Sequence, residues 1–140
     1  MSNLLFTATA TTIGGREGSV KSSDGVIDTN LAMPGTPRKE KLPQATNPEQ
    51  LFASGYSACF GSALENVAKK DGVKLDPEVT ANVSLLKDES DGGFKLAVKL
   101  QVKDENTEKS QLEELVKKAH EVCPYSKATK GNIDVELEVL

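Results

Sequence analysis

The chain has 140 residues, of which 37% are hydrophobic and 27% charged, and carries a formal net charge of −4. That length suits one domain, residues 1–140, with enough chain to bury a real core. The acidic balance excludes a nucleic-acid surface of the usual basic kind, since Lys and Arg are scattered apart from Arg38, Lys39 and Lys41, and no apolar run reaches the length of a membrane helix without polar interruption.

The opening stretch, MSNLLFTATATTIGG, has no positively charged n-region, so no secretory leader is expected and the protein reads as cytoplasmic. Residues 4–12 alternate Leu4, Phe6, Ala8 and Ala10 against Thr7, Thr9 and Thr11, the period-2 pattern of a half-buried strand. Gly14 and Gly15 break it. A short strand around Gly18 to Ser22 follows, then the hairpin signal Asp24-Gly25, then a returning strand from Val26 to Leu31. Residues 32–47 hold Pro34, Gly35, Pro37 and Pro43 and read as a long loop, because the strands before it are too few to fold alone.

The first helix announces itself with Asn47 as cap, Pro48 at the first helical position and Gln50 three residues after the cap. It runs to Lys70, before Asp71-Gly72. Its middle is apolar or small on every face, which marks a buried helix. Gly55, Ala58, Gly61 and Ser62 would admit another backbone closely, including a symmetry mate's. A second hairpin alternates Val79, Ala81, Val83 and Leu85, turns at Asp91-Gly92-Gly93, and returns through Phe94, Leu96, Val98, Leu100 and Val102. A second helix is expected from a Ser110–Glu113 capping box, with Leu112, Leu115, Val116, Ala119 and Val122 as its apolar stripe and Pro124 as its stop. A turn-rich link leads to a last strand whose Ile133, Val135, Leu137 and Val139 face inward. The order β-β-β-α-β-β-α-β predicts an α+β fold with mainly antiparallel sheets.

Two cysteines, Cys59 in the middle of the first helix and Cys123 at the end of the second, are the first candidates for chemistry. Free cysteines are usually inert core residues, and a 64-residue separation is no local redox motif. A functional pair requires the two helices to pack with both sulfurs in reach. A zinc site fits poorly: His120 is the one histidine, and it reads as a surface or boundary residue. Arg16 sits between glycines in GGREG, either as a surface loop charge or as a guanidinium delivered by a tight turn. A cation beside a thiol raises its thiolate fraction, and the thiolate is the nucleophile. Glu49 is favoured in a first helical turn by the helix dipole alone. It stands ten residues from Cys59, about 15 Å of helical rise, so a site using both would take Glu49 from a second copy of the chain. Phe52, Tyr56 and Phe60 are mostly core by pattern, and are also the residues available to line an apolar substrate pocket near Cys59. Tyr125 and Ser126 read as turn formation and edge packing.

The stretches TATATTIGGREGSVKSSDG, TNPEQLFASGYSACF and AHEVCPYSKATKGNIDVELEV resemble the organic hydroperoxide resistance branch of the OsmC-like superfamily over essentially the full length. The resemblance implies an OsmC-like fold: an intertwined homodimer with central buried helices and active sites at the interface. It implies a thiol peroxidase that reduces organic hydroperoxides, with Cys59 as the peroxidatic and Cys123 as the resolving cysteine, Arg16 holding Cys59 as a thiolate and Glu49 orienting Arg16 by a charge-assisted pair. It implies a Cys59–Cys123 intrachain disulfide reset by an external dithiol, a lipoylated protein in this family, and no metal, haem or flavin. Two other readings stand beside it: a non-catalytic binder of small apolar ligands with inert buried cysteines, and a thioesterase or acyl transferase that would need His120 beside Cys59.

Overall fold

The computed structural model describes residues 3–140. These fall into two compact units that divide between Leu51 and Phe52.

The first unit is built on an antiparallel sheet of three short strands, β1 (Ala10–Ile13), β2 (Ser19–Ser22) and β3 (Asp28–Asn30), in that order. The Asp24-Gly25 turn forms as expected. Asp24 accepts the Ser22 hydroxyl at 2.6 Å and the Val26 N–H at 3.0 Å, local bonds that close the connection from β2 to β3. The first strand is shorter than its alternation predicts, and it is not half-buried. Pairing with β2 runs from Ile13 opposite Ser19 to Ala10 opposite Ser22, with one more bond at Thr9. Upstream, Leu4, Leu5 and Phe6 are 66%, 90% and 80% exposed. The apolar pattern is real, but none of the described residues covers it.

Residues 32–47 are not one long loop. Pro37–Lys41 form a short helix, α1, whose cap Thr36 accepts the Lys39 N–H through its hydroxyl. Two of the three clustered basic residues are spent on backbone carbonyls. Arg38 donates to the carbonyls of Leu31 (2.8 Å) and Gly18 (3.1 Å), and Lys39 donates to those of Pro43 and Ala45. Proline at the first helical position is what lets a proline-rich stretch start a helix.

Helix α2, Pro48–Lys70, begins in the first unit and continues into the second. Asn47 caps it, with Oδ1 accepting the Gln50 N–H at 2.7 Å, and the Gln50 side chain accepts the Thr46 hydroxyl. Tyr56, Phe60, Ala63, Leu64 and Ala68 form its buried face. Burial all round was expected, and the chain buries only part of the helix: Ser54, Ala58 and Ser62, one turn apart, are exposed.

The second unit packs the rest of α2 with α3 (Lys109–Val122) on a sheet ordered β4 (Glu78–Asp88), β5 (Gly93–Lys103), β6 (Val135–Val139). The hairpin register sets Val79, Ala81, Val83 and Leu85 opposite Val102, Leu100, Val98 and Leu96, so both predicted apolar faces coincide. Strand β6 joins β5 in parallel, which requires a crossover, and α3 supplies it. Helix α3 starts one residue before Ser110, with Glu108 at the cap position and no side-chain cap, so the Ser110–Glu113 capping box does not form. Pro124 both stops α3 and starts a further helix, α4 (Pro124–Thr129), inside the predicted turn-rich link. Cys123 is the single extended residue between them (φ −62°, ψ 125°), the conformation that a following proline favours. Among the described residues no helix is long and apolar enough to cross a membrane.

Candidate active site

Two constellations of side chains stand out, one in each unit. In the first, the GGREG turn is a single turn of tight helix, Gly15–Glu17. Gly18 closes it with its Cα so near the Ile13 carbonyl that a β-carbon would overlap that oxygen. The turn presents Arg16 to Glu49 at the start of α2. The guanidinium donates to both carboxylate oxygens, at 2.7 and 2.9 Å, a bidentate pair. Glu49 is well covered, with 16% of its side chain exposed against 39% for Arg16. The hydrogen bond from Arg16 holds the Glu49 carboxyl below the usual glutamate range, and Glu49 in turn raises the Arg16 guanidinium. Arg38 braces this turn through its bond to the Gly18 carbonyl.

In the second unit, core packing of α2 against α3 brings Cys59 and Cys123 together, Sγ to Sγ at 3.7 Å, both as free thiols. The two differ in access. Cys123 is fully buried and Cys59 is half-exposed. Burial pushes the Cys59 thiol up, Cys123 adds to the rise, and a hydrogen bond from the Tyr125 backbone in the first turn of α4 opposes it. This pair is in reach of a disulfide after a small approach, since a bridge needs about 2.05 Å.

The expected pocket residues separate. Tyr56 and Phe60 have no exposed surface and belong to the core, whereas Phe52 is half-buried. Phe52 packs edge-on to Tyr56 at 5.9 Å between centroids and against Tyr125 at 5.8 Å. Tyr125 and Ser126 are therefore more than turn residues. The Tyr125 ring lies over Gly55, and Ser126 is completely buried.

Ser126 is the centre of a polar network that sequence patterning did not reveal. Its hydroxyl meets the Tyr56 hydroxyl at 2.8 Å and His120 Nδ1 at 2.8 Å, and Tyr56 also meets Thr129 Oγ1 at 3.1 Å. The available signal was Ser126 and Thr129, one turn apart just after Pro124, which face back toward the core in a helix starting there. His120 is a boundary residue as expected, with Nδ1 committed to Ser126. Among the described residues no three His, Cys, Asp or Glu side chains converge as metal ligands.

Comparison with known proteins places the chain in a family. A family model described as OsmC-like protein matches residues 39–138. The chain is 68% identical over 139 residues to the organic hydroperoxide resistance protein OhrA of Bacillus subtilis, covering 99% of each chain. This chain belongs to the organic hydroperoxide resistance branch of the OsmC-like family. Among solved structures, it is similar to the OhrB protein of Bacillus subtilis (TM-score 0.93, 52% identity, 98% of this chain and 100% of that one). It also resembles an organic hydroperoxide resistance protein of Legionella pneumophila (TM-score 0.86, 45% identity, 98% of each chain). The α+β architecture with antiparallel hairpins is the fold of that family.

Proposed function

We propose that the chain is a thiol-dependent peroxidase that reduces alkyl or fatty-acid hydroperoxides to alcohols. The observation that carries this reading is the Cys59–Cys123 pair: one sulfur reachable, the other shielded, 3.7 Å apart and unbridged. Cys59 as thiolate attacks the terminal oxygen of ROOH, the O–O bond breaks, and ROH leaves with a proton. Cys59 becomes a sulfenic acid. Cys123 then attacks the Cys59 sulfur, and its proton leaves with the sulfenic hydroxyl as water. An external dithiol, which we take to be a lipoylated protein, restores both thiols by exchange.

A thiol raised by burial needs a cation to ionise near neutral pH, and Arg16, held by Glu49, is the candidate. Glu49 and Cys59 are about 15 Å apart along α2, so the pair would serve the Cys59 of a second copy. The exposed apolar residues Leu4, Leu5, Phe6, Ile13, Val26 and Ile27 and the open small-residue stripe of α2 support such an intertwined homodimer. In that assembly, residues 1–140 act as a single cytoplasmic domain. A monomeric mass for the active protein in analytical ultracentrifugation would remove this part of the reading.

The activity is tested by peroxide consumption with a dihydrolipoyl reductant. Cumene hydroperoxide should be turned over faster than hydrogen peroxide, which brings no apolar tail to the wall at Phe52. Equal rates would argue against an apolar substrate.

A further inference from the structure

The geometry points to Ser126 and His120, anchored by Tyr56, as positioning residues that set the Cys123 sulfur for disulfide formation. This rests on the two-cysteine chemistry proposed above and adds residues that touch neither peroxide nor sulfur.

The joint that holds Cys123 is a single extended residue between two helices. The direction of its side chain therefore depends on how the end of α3 meets the start of α4. His120 lies three residues before Cys123 and Ser126 three residues after it, and their 2.8 Å bond spans the joint as a brace. Tyr56 lies three residues before Cys59 on α2, and its 2.8 Å bond to the same Ser126 hydroxyl ties the brace to the helix carrying the other sulfur. The segments that carry the two sulfurs are thus tied to one buried hydroxyl.

Only one arrangement of protons satisfies every contact. Thr129 donates to the Ser126 carbonyl at 3.2 Å, so it must accept from Tyr56. Tyr56 has then spent its proton and accepts from Ser126. Ser126 in turn accepts from His120, which must carry its proton on Nδ1. Each member has one role, and removing any one leaves a buried polar atom without its partner.

In the resolving step the Cys59 S–O bond breaks and the S–S bond forms. Cys123 is oxidised, the Cys59 sulfenic sulfur is reduced, and water leaves with the Cys123 proton. The sulfurs must close from 3.7 Å to bonding distance. Peroxide attack at Cys59 makes no such demand on Cys123. Loss of the brace therefore acts on the second step. A sulfenic acid that waits longer is exposed to a second peroxide and goes on to sulfinic acid.

The test is rapid-mixing kinetics of the full chain with one equivalent of cumene hydroperoxide, followed by mass spectrometry at excess peroxide. Ser126→Ala and His120→Leu should form sulfenic acid at the wild-type rate, form the disulfide at least about tenfold more slowly, and accumulate Cys59 sulfinic acid. His120→Asn, which keeps a donor at the δ position, should recover most of the disulfide rate. Wild-type disulfide rates in folded Ser126→Ala and His120→Leu, or equal slowing of both steps, would overturn the proposal. If the wild-type chain does not react with peroxide, the peroxidase reading fails by itself. Bridge formation under diamide then decides the brace: slower bridging in the variants supports it, and equal rates overturn it.

Discussion

The phenol ring of Tyr125 occupies the space that a β-carbon on Gly55 would need, with its Cζ 2.9 Å from that position. Gly55 is therefore a seat for Tyr125, whose backbone bonds to the Cys59 sulfur. Ala in place of Gly inside a helix normally stabilises by about 0.5–1 kcal/mol. Here Gly55→Ala should instead destabilise by about 1–3 kcal/mol, as overpacking does, and slow sulfenic acid formation at Cys59. Thermal unfolding and single-turnover kinetics read the two effects. A gain in stability with unchanged kinetics would show that Tyr125 can move without consequence.

The two cysteines should fail differently. Cys59→Ser should abolish even one turnover of organic hydroperoxide. Cys123→Ser should consume about one equivalent and then stall as a sulfenic or more oxidised Cys59. Peroxide remaining after mixing with stoichiometric enzyme separates the cases. An apolar-ligand binder with inert thiols would show no consumption to lose in any of the three proteins.

Glu49 gives a pH signature. Its carboxyl is held below the ordinary range by Arg16, so the unfolded chain takes up a proton at higher pH than the folded one. The stabilisation is complete above the ordinary glutamate value of about 4.3 and is lost as pH falls through the folded value. Glu49→Gln should thus be less stable than wild type near neutrality, by about 1 kcal/mol or less given the exposure of Arg16. The gap should close in acid. Urea unfolding across that range checks it, and a gap that widens as pH falls contradicts the pairing.

His120 acts in a separate window. Burial lowers its affinity for a proton, nearby Lys130 lowers it further, and Glu121 partly opposes them. The unfolded chain takes up this proton near pH 6.5 and the folded chain only at lower pH, so stability should decline as pH drops below about 6.5. As the one histidine in the chain, it gives a clean readout. His120→Asn should lack this decline in denaturant titrations between about pH 7.5 and 5.

Much of the fold was legible because it is written in periods. The alternation in residues 79–102 fixed a hairpin whose register pairs the two apolar faces residue by residue. Asn47 and Pro48 marked the start of α2 because capping and proline placement are local chemistry. The failures share another cause. Leu4 and Phe6 alternate like a buried strand, but periodicity does not say which surface covers a strand, and this chain leaves them open. Pro124 reads as a stop, yet a proline that ends one helix also suits the first position of the next. The Arg16–Glu49 pair does form as the family resemblance implies, but its residues are 33 apart in sequence, and the glycine turn and the helix start taken alone would not have joined them. The Tyr56–Ser126–His120 network spans α2, α3 and α4 and has no sequence period at all.

The central claim is that Cys59 and Cys123 act as one redox pair, and thiol titration with mass spectrometry tests it most directly. The reduced chain should show two titratable thiols when unfolded, and none after one equivalent of an organic hydroperoxide, with peptide mapping recovering a Cys59–Cys123 bridge. Two thiols still free after the peroxide, with no bridged peptide, would contradict the account.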